Sequence, residues 1–334
     1  MMDRTHPPNA IDRRGFLTSL TGLAAVAAAG TIDTHAQSAP VPIIDTHIHL
    51  FDQTRPQGAP YSGGRAPEAP PSSTPSLPAR YRSVVAQPLG IVGAIEVEAS
   101  PWIEDNLWVL EVSQTDTIMV GTIGNLEPEK PEFPEYLDRY HKNPLFRGIR
   151  CGNLWNRDFT KASENPTFIN GLKLLAQAGL VLDTANPRIT LLEAIVRITD
   201  QVPDLRVVLD HLPSMDPTEA ERAPYERLLA EIGKRPQIYV KLSEVVHRVN
   251  GQVSFELNRY KDRLDYLIGV FGEDRILFGT DWPNSDGVGA IVPIVNLVKQ
   301  YFSTKPRTLQ EKYFWKNSVA AYKWIKRAPS QPAL

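Results

Sequence analysis

Short apolar runs that alternate with stretches of helical periodicity constrain this fold more than any other feature. The runs lie at 41–44, 91–98, 117–123, 146–151, 180–184, 205–211, 238–243 and 276–281. Between them, apolar residues recur at helical spacing. Ser100-Pro101 reads as N-cap and N1 of a helix carrying Ile103, Leu107 and Leu110. Asn165-Pro166 starts another with Phe168, Leu172 and Leu175, which Gly179 ends. Further helices are expected at 134–141, 190–200, 225–233 and 259–271, the last ended by Gly272. Near-continuous apolar runs are strands buried on both faces, and intervening helices imply parallel pairing. Eight such units in 334 residues predict an α/β fold, a single-domain (β/α)8 TIM barrel. A doubly wound open sheet is the alternative, but no glycine-rich phosphate loop follows the first run.

Residues 53–78 interrupt the pattern. They are rich in Pro, Gly and Ser, lack periodicity, and include Arg55, Tyr61, Arg65 and Glu68. A loop this long, directly after the first strand, is expected to act as a lid.

The chain opens differently. Arg13-Arg14 precede an apolar, alanine-rich stretch ending at Gly30. Paired arginines, a short apolar core and small residues resemble a twin-arginine export signal, with cleavage after Ala36. The stretch is too short and small-sided for a persuasive membrane span. The expected organisation is a signal at 1–36 and a barrel domain at 37–334, in a periplasmic or secreted protein. Its partners would be the twin-arginine export machinery and a small-molecule substrate, with no membrane anchor after cleavage. His6 and His35 fall in the removed part. A net charge of −2 without a basic stripe argues against nucleic acid. The single cysteine, Cys151, excludes an intrachain disulfide and cysteine metal clusters and reads as packing.

Barrel active sites sit at the C-terminal ends of strands. The first run leads into Asp45, His47 and His49, which as alternate residues of a strand are expected to share one face. The second carries Glu96 and Glu98, the fourth Arg147 and Arg150, the sixth Asp210-His211, the seventh Lys241 and Ser243, and the eighth Asp281. Each has a plainer reading. Asp281 could cap a helix, His211 could be a core histidine, and Arg150 could pair with a structural acid.

The segments IIDTHIHLFD, SPWIEDNLWVLEV, MVGTIGNLEP, NPLFRGIR, LRVVLDHLPSMDP, IYVKLSEV, RILFGTDWPNSD and KNSVAAYKW, in that order, resemble the amidohydrolase-related family. The resemblance is to its lactonase-containing branch. It implies a catalytic centre of His47, His49 and Asp281, completed by His211, that opens a lactone or related carbonyl compound. Metal-rich members carry a lysine or histidine on the middle strands, where this chain has Arg150-Cys151 and Asp183-Thr184. A binuclear site is therefore not expected. One divalent ion such as Zn, held by His47, His49 and Asp281 with Glu98 as an added ligand, and metal-free catalysis both stay open. Asp281 is the expected general base, and Arg150 would clamp a substrate carboxylate. Tyr61 would contact substrate from the loop. The alternatives are a metal-dependent decarboxylase or hydratase on the same barrel, and a non-catalytic periplasmic ligand-binding barrel.

Overall fold

The computed structural model describes residues 39–61 and 74–334. Arg13, Arg14, His6, His35, Arg65 and Glu68, with the export signal, lie outside the described residues.

The eight strands are β1 (Ile43–Ile48), β2 (Ile91–Val97), β3 (Met119–Gly124), β4 (Phe146–Arg150), β5 (Val181–Thr184), β6 (Arg206–Leu209), β7 (Ile238–Lys241) and β8 (Ile276–Leu277). They pair in parallel in that order. The last meets the first: Thr46 N donates to Phe278 O at 3.0 Å, Asp281 N to His47 O at 2.8 Å, and His49 N to Trp282 O at 2.8 Å. The expected TIM barrel is therefore the fold. This seam needs a glycine, since a Cβ on Gly279 would lie 2.9 Å from the Cβ of His47.

Two apolar layers hold the barrel. Its interior packs Ile44, Ile95, Val97, Val120, Ile123, Val181, Val208 and Leu277 against Tyr322 and Trp324. The outer layer sets strand residues such as Ile43 and Ile48 against the surrounding helices. The end of the helix Asn317–Tyr322 and the segment after it close the N-terminal end of the barrel. Ile325 N donates to Val120 O at 3.1 Å, Arg147 Nη1 to Lys323 O at 2.9 Å, and Arg206 Nε to Ala321 O at 2.9 Å.

Several elements depart from expectation. Ser100 is not a helix cap: its hydroxyl accepts from Trp102 N at 3.1 Å in a local turn, and the helix starts at Asp105. Asn165 does cap Pro166–Gln177, accepting from Thr167 N at 3.0 Å. The helix expected at 225–233 begins at Glu219, behind a capping box of Thr218 and Glu221. β8 has two residues rather than six, because Thr280 turns to donate its N–H and hydroxyl to Asp45 at 2.9 and 2.6 Å. Among the described residues, no helix is long and apolar enough to cross a membrane.

Candidate active site

The first strand does not present its three polar residues on one face. The β1–β2 register slips between Asp45 and Ile48, so strict alternation breaks inside the motif. Asp45 accepts from the Tyr81 hydroxyl at 2.8 Å and from Thr280. It ties β1 to β8 rather than joining the site. His47 and His49 both turn to the barrel mouth.

There the Nε2 atoms of three imidazoles converge on one oxygen. From Asp281 Oδ1, His49 lies at 3.2 Å, His47 at 3.5 Å and His211 at 3.8 Å. All four residues expected to form the centre are brought together. His49, His47 and Asp281 are almost fully buried. Burial first, then Arg150, lowers the His49 pKa to about 3, and burial with Lys241 holds His47 well below its ordinary range. Both imidazoles are neutral at pH 7. Asp281 moves the other way, up to about 8. Burial is the main cause and His211 opposes it, while the Glu244 carboxylate nearby adds to it.

Three strand-end residues take the left-handed backbone conformation: His211 (φ 58°), Glu244 (φ 50°) and Asp281 (φ 55°). Non-glycine residues pay for that conformation, and such strain collects at functional sites. In Glu244, Oε2 accepts from Ser214 Oγ at 2.6 Å. Asn284 Nδ2 donates to Asp281 Oδ1 at 3.1 Å, and the Tyr61 hydroxyl donates to Asn284 Oδ1. Tyr61 thus reaches the centre from the loop, with its ring 5.8 Å from that of His49 and 6.3 Å from that of Trp155. Arg55, by contrast, is anchored on Asp105 at 2.8 and 3.1 Å and lies over the Trp108 ring.

Glu98 and Arg150 form the adjoining wall. Arg150 donates through Nε to Glu98 Oε1 at 2.9 Å and through Nη2 to Glu98 O at 2.7 Å. Glu98 Oε2 accepts from Trp155 Nε1 at 3.0 Å and Ser100 N at 3.2 Å. Glu98 is thereby committed to orienting Arg150 and Trp155, and it stands apart from the histidine donor set. Arg150 Nη1 is the loosest corner of the guanidinium, 3.9 Å from Asp210 Oδ2.

Beneath the histidines lies a buried charge cluster that sequence reasoning gave little weight. Lys241 Nζ is 2.6 Å from Asp183 Oδ2, 2.9 Å from Asp210 Oδ1 and 3.1 Å from His47 Nδ1. Tyr322 donates to Asp183 at 3.0 Å. The available signal was a lysine inside the apolar run IYVKL, because a buried lysine must be paired.

The donor set has the spacing of a metal site. Ligands at 2.0–2.1 Å around a tetrahedral ion lie roughly 3.4 Å apart, and His49, His47 and Asp281 show 3.2 and 3.5 Å. His47 Nε2 is buried without a hydrogen-bond partner. The side chains of His47, His49 and Asp281 therefore fit one divalent ion, and His211, Glu244 and Asp281 form a second close group.

The amidohydrolase family model matches residues 44–324. The chain belongs to the amidohydrolase family. It is an enzyme of that superfamily. A relative from Burkholderia ambifaria named L-fucono-1,5-lactonase is 23% identical over 252 residues, covering 72% of this chain and 80% of its own. Among solved structures, an amidohydrolase from Burkholderia multivorans with bound zinc matches at a TM-score of 0.71 and 18% identity. That match covers 85% of this chain and 99% of the other. A putative 2-pyrone-4,6-dicarboxylic acid hydrolase from Pseudomonas putida matches at a TM-score of 0.68 and 18% identity, over 85% and 98%. At such identity the structural likenesses establish the barrel alone.

Proposed function

We propose that this amidohydrolase opens a lactone or similar cyclic ester of a small carboxylated or sugar-derived molecule, using water activated at Asp281. The observation that carries this reading is the convergence of three imidazoles on a single carboxylate oxygen at the barrel mouth. Ester opening needs a base for water, donors for the developing oxyanion and a proton for the leaving alkoxide. An Asp281 pKa near 8 suits both halves. Ionised, it takes a proton from water beside the carbonyl carbon. Protonated, it returns that proton to the ring oxygen as the bond breaks. His47 faces the carbonyl oxygen as donor, and Arg150 Nη1, the corner of the guanidinium free of Glu98, would pair with a substrate carboxylate. Tyr61 and Trp155 roof the space above.

A divalent ion held by His47, His49 and Asp281 would polarise the carbonyl. The zinc in the Burkholderia multivorans amidohydrolase and the name of the fuconolactonase relative support these readings. The export reading of Arg13-Arg14 stands as part of this proposal, with the enzyme acting outside the cytoplasm.

The test pairs elemental analysis of the mature protein with assays on sugar lactones, pyrone dicarboxylates and aromatic acids. Turnover of at least one lactone is expected. Release of carbon dioxide from an aromatic acid, with every lactone left intact by folded enzyme, would overturn the proposal in favour of a decarboxylase.

A further inference from the structure

The two histidines of the His-x-His motif differ in what stands behind them. Behind His49 is a backbone carbonyl, Val97 O, 2.7 Å from Nδ1. A carbonyl only accepts, so Nδ1 of His49 carries the hydrogen and its Nε2 presents a lone pair to the site. Behind His47 is Lys241 Nζ, 3.1 Å from Nδ1. An ammonium only donates. It hydrogen-bonds His47 Nδ1 and Asp183 Oδ2, the latter at 2.6 Å, while Asp210 Oδ1 at 2.9 Å is an ion-pair partner out of hydrogen-bond alignment. The rival partner for a hydrogen on His47 Nδ1 is the buried Asp210 Oδ1, otherwise without a hydrogen-bond partner, which at 3.6 Å is farther off than the lysine.

We propose that Lys241 is a positioning residue that fixes His47 in the tautomer bearing hydrogen on Nε2. The motif then supplies one acceptor, His49, and one donor, His47. His47 Nε2, buried and lacking a partner, becomes the N–H aimed at the substrate carbonyl oxygen. That donor role rests on the ester-opening reading; the tautomer does not. The same contact regulates the metal site. For His47 Nε2 to ligate an ion, its hydrogen must move to Nδ1, where it meets the lysine head-on. Lys241 therefore weakens metal binding through His47, and ligation there requires the lysine contact to break.

The direct test is nitrogen NMR of metal-free enzyme labelled with ¹⁵N-histidine, with signals assigned by their loss in His47→Gln and His49→Gln. The expected result is hydrogen on Nε2 of His47 and on Nδ1 of His49. Hydrogen on Nδ1 of His47 would overturn the proposal, because it would leave Lys241 as a mere counter-ion for Asp183 and Asp210. The second arm measures zinc affinity by chelator competition. In Lys241→Met it should rise by at least ~10-fold, in the range that outer-shell changes produce, and unchanged or weaker binding would refute the metal-regulating role. Should Lys241→Met fail to fold, the wild-type spectrum and a zinc titration of it decide. Loss of the His47 Nε2 hydrogen only at zinc excess, after His49 has responded, is the expected order, and simultaneous loss counts against it. Neither arm needs a substrate, so both remain decisive if no lactone is turned over.

Discussion

His49 Nε2 and Asp281 Oδ1 face each other at 3.2 Å, and the imidazole brings a lone pair because its other nitrogen is bonded to Val97 O. Two acceptors at that distance need a proton or a cation between them. Without metal the proton belongs to Asp281, whose carboxyl is pushed up to about 8. Asp281→Asn keeps the shape and removes the proposed base. Turnover should fall by at least ~10²-fold. Rate and bound metal measured together identify the role: if metal content falls in step with rate and excess zinc restores both, Asp281 acts chiefly as a ligand.

The same group predicts the pH profile. In metal-depleted enzyme kcat/KM should climb with pH and level off above about 8, as Asp281 ionises. A flat profile between pH 6 and 9 would remove Asp281 as the base.

Stability should run the opposite way. The folded carboxyl titrates near 8 against an ordinary 3.8. Between those values the folded chain retains a proton that the unfolded chain has released, so this group's contribution to stability declines as pH rises. The melting temperature of Asp281→Asn, relative to wild type, should therefore increase from pH 5 to pH 8. A constant difference would contradict the shift.

Glu98→Gln tests the wall. It leaves the buried Arg150 guanidinium without its carboxylate, at a cost of about 3 kcal/mol in denaturant melts. Zinc content should be unchanged, since Glu98 is committed to Arg150 and Trp155. Lost zinc would restore Glu98 as a ligand.

Tyr61→Phe removes the hydroxyl that holds Asn284 over Asp281. One hydrogen bond is worth about 1 kcal/mol, so KM should rise roughly fivefold. Unchanged kinetics would reduce this part of the loop to a connection. At the other end of the chain, replacing Arg13 and Arg14 by Lys should leave precursor in the cytoplasm, and normal maturation of that variant would sink the export reading.

Much of this arrangement is legible in the sequence. Apolar runs that alternate with helical spacing give the barrel, and polar residues at strand ends give His47, His49, His211 and Asp281. What escapes the sequence depends on backbone shape and distant partners. Asp45 leaves its expected face because the strand register slips, which no local pattern reveals. Glu244 enters the site through a left-handed turn at a non-glycine residue. The hairpin of Arg248–Val249 and Gln252–Val253 had a visible signal in Asn250-Gly251, which favours such turns. The pairing of Lys241 with Asp183, Asp210 and Tyr322 joins residues from β5 onward, too far apart for any sequence window.

Tyr322 and Trp324 come after every strand in the order of synthesis, yet they fill the lower barrel and Tyr322 bonds Asp183. A nascent chain with all eight strands already out of the ribosome still lacks its floor. Asp183, one of the carboxylates beside Lys241, then also lacks the hydroxyl that Tyr322 donates to it. The candidate site of this barrel is supported from the opposite end, by a piece of chain that arrives after all eight barrel strands.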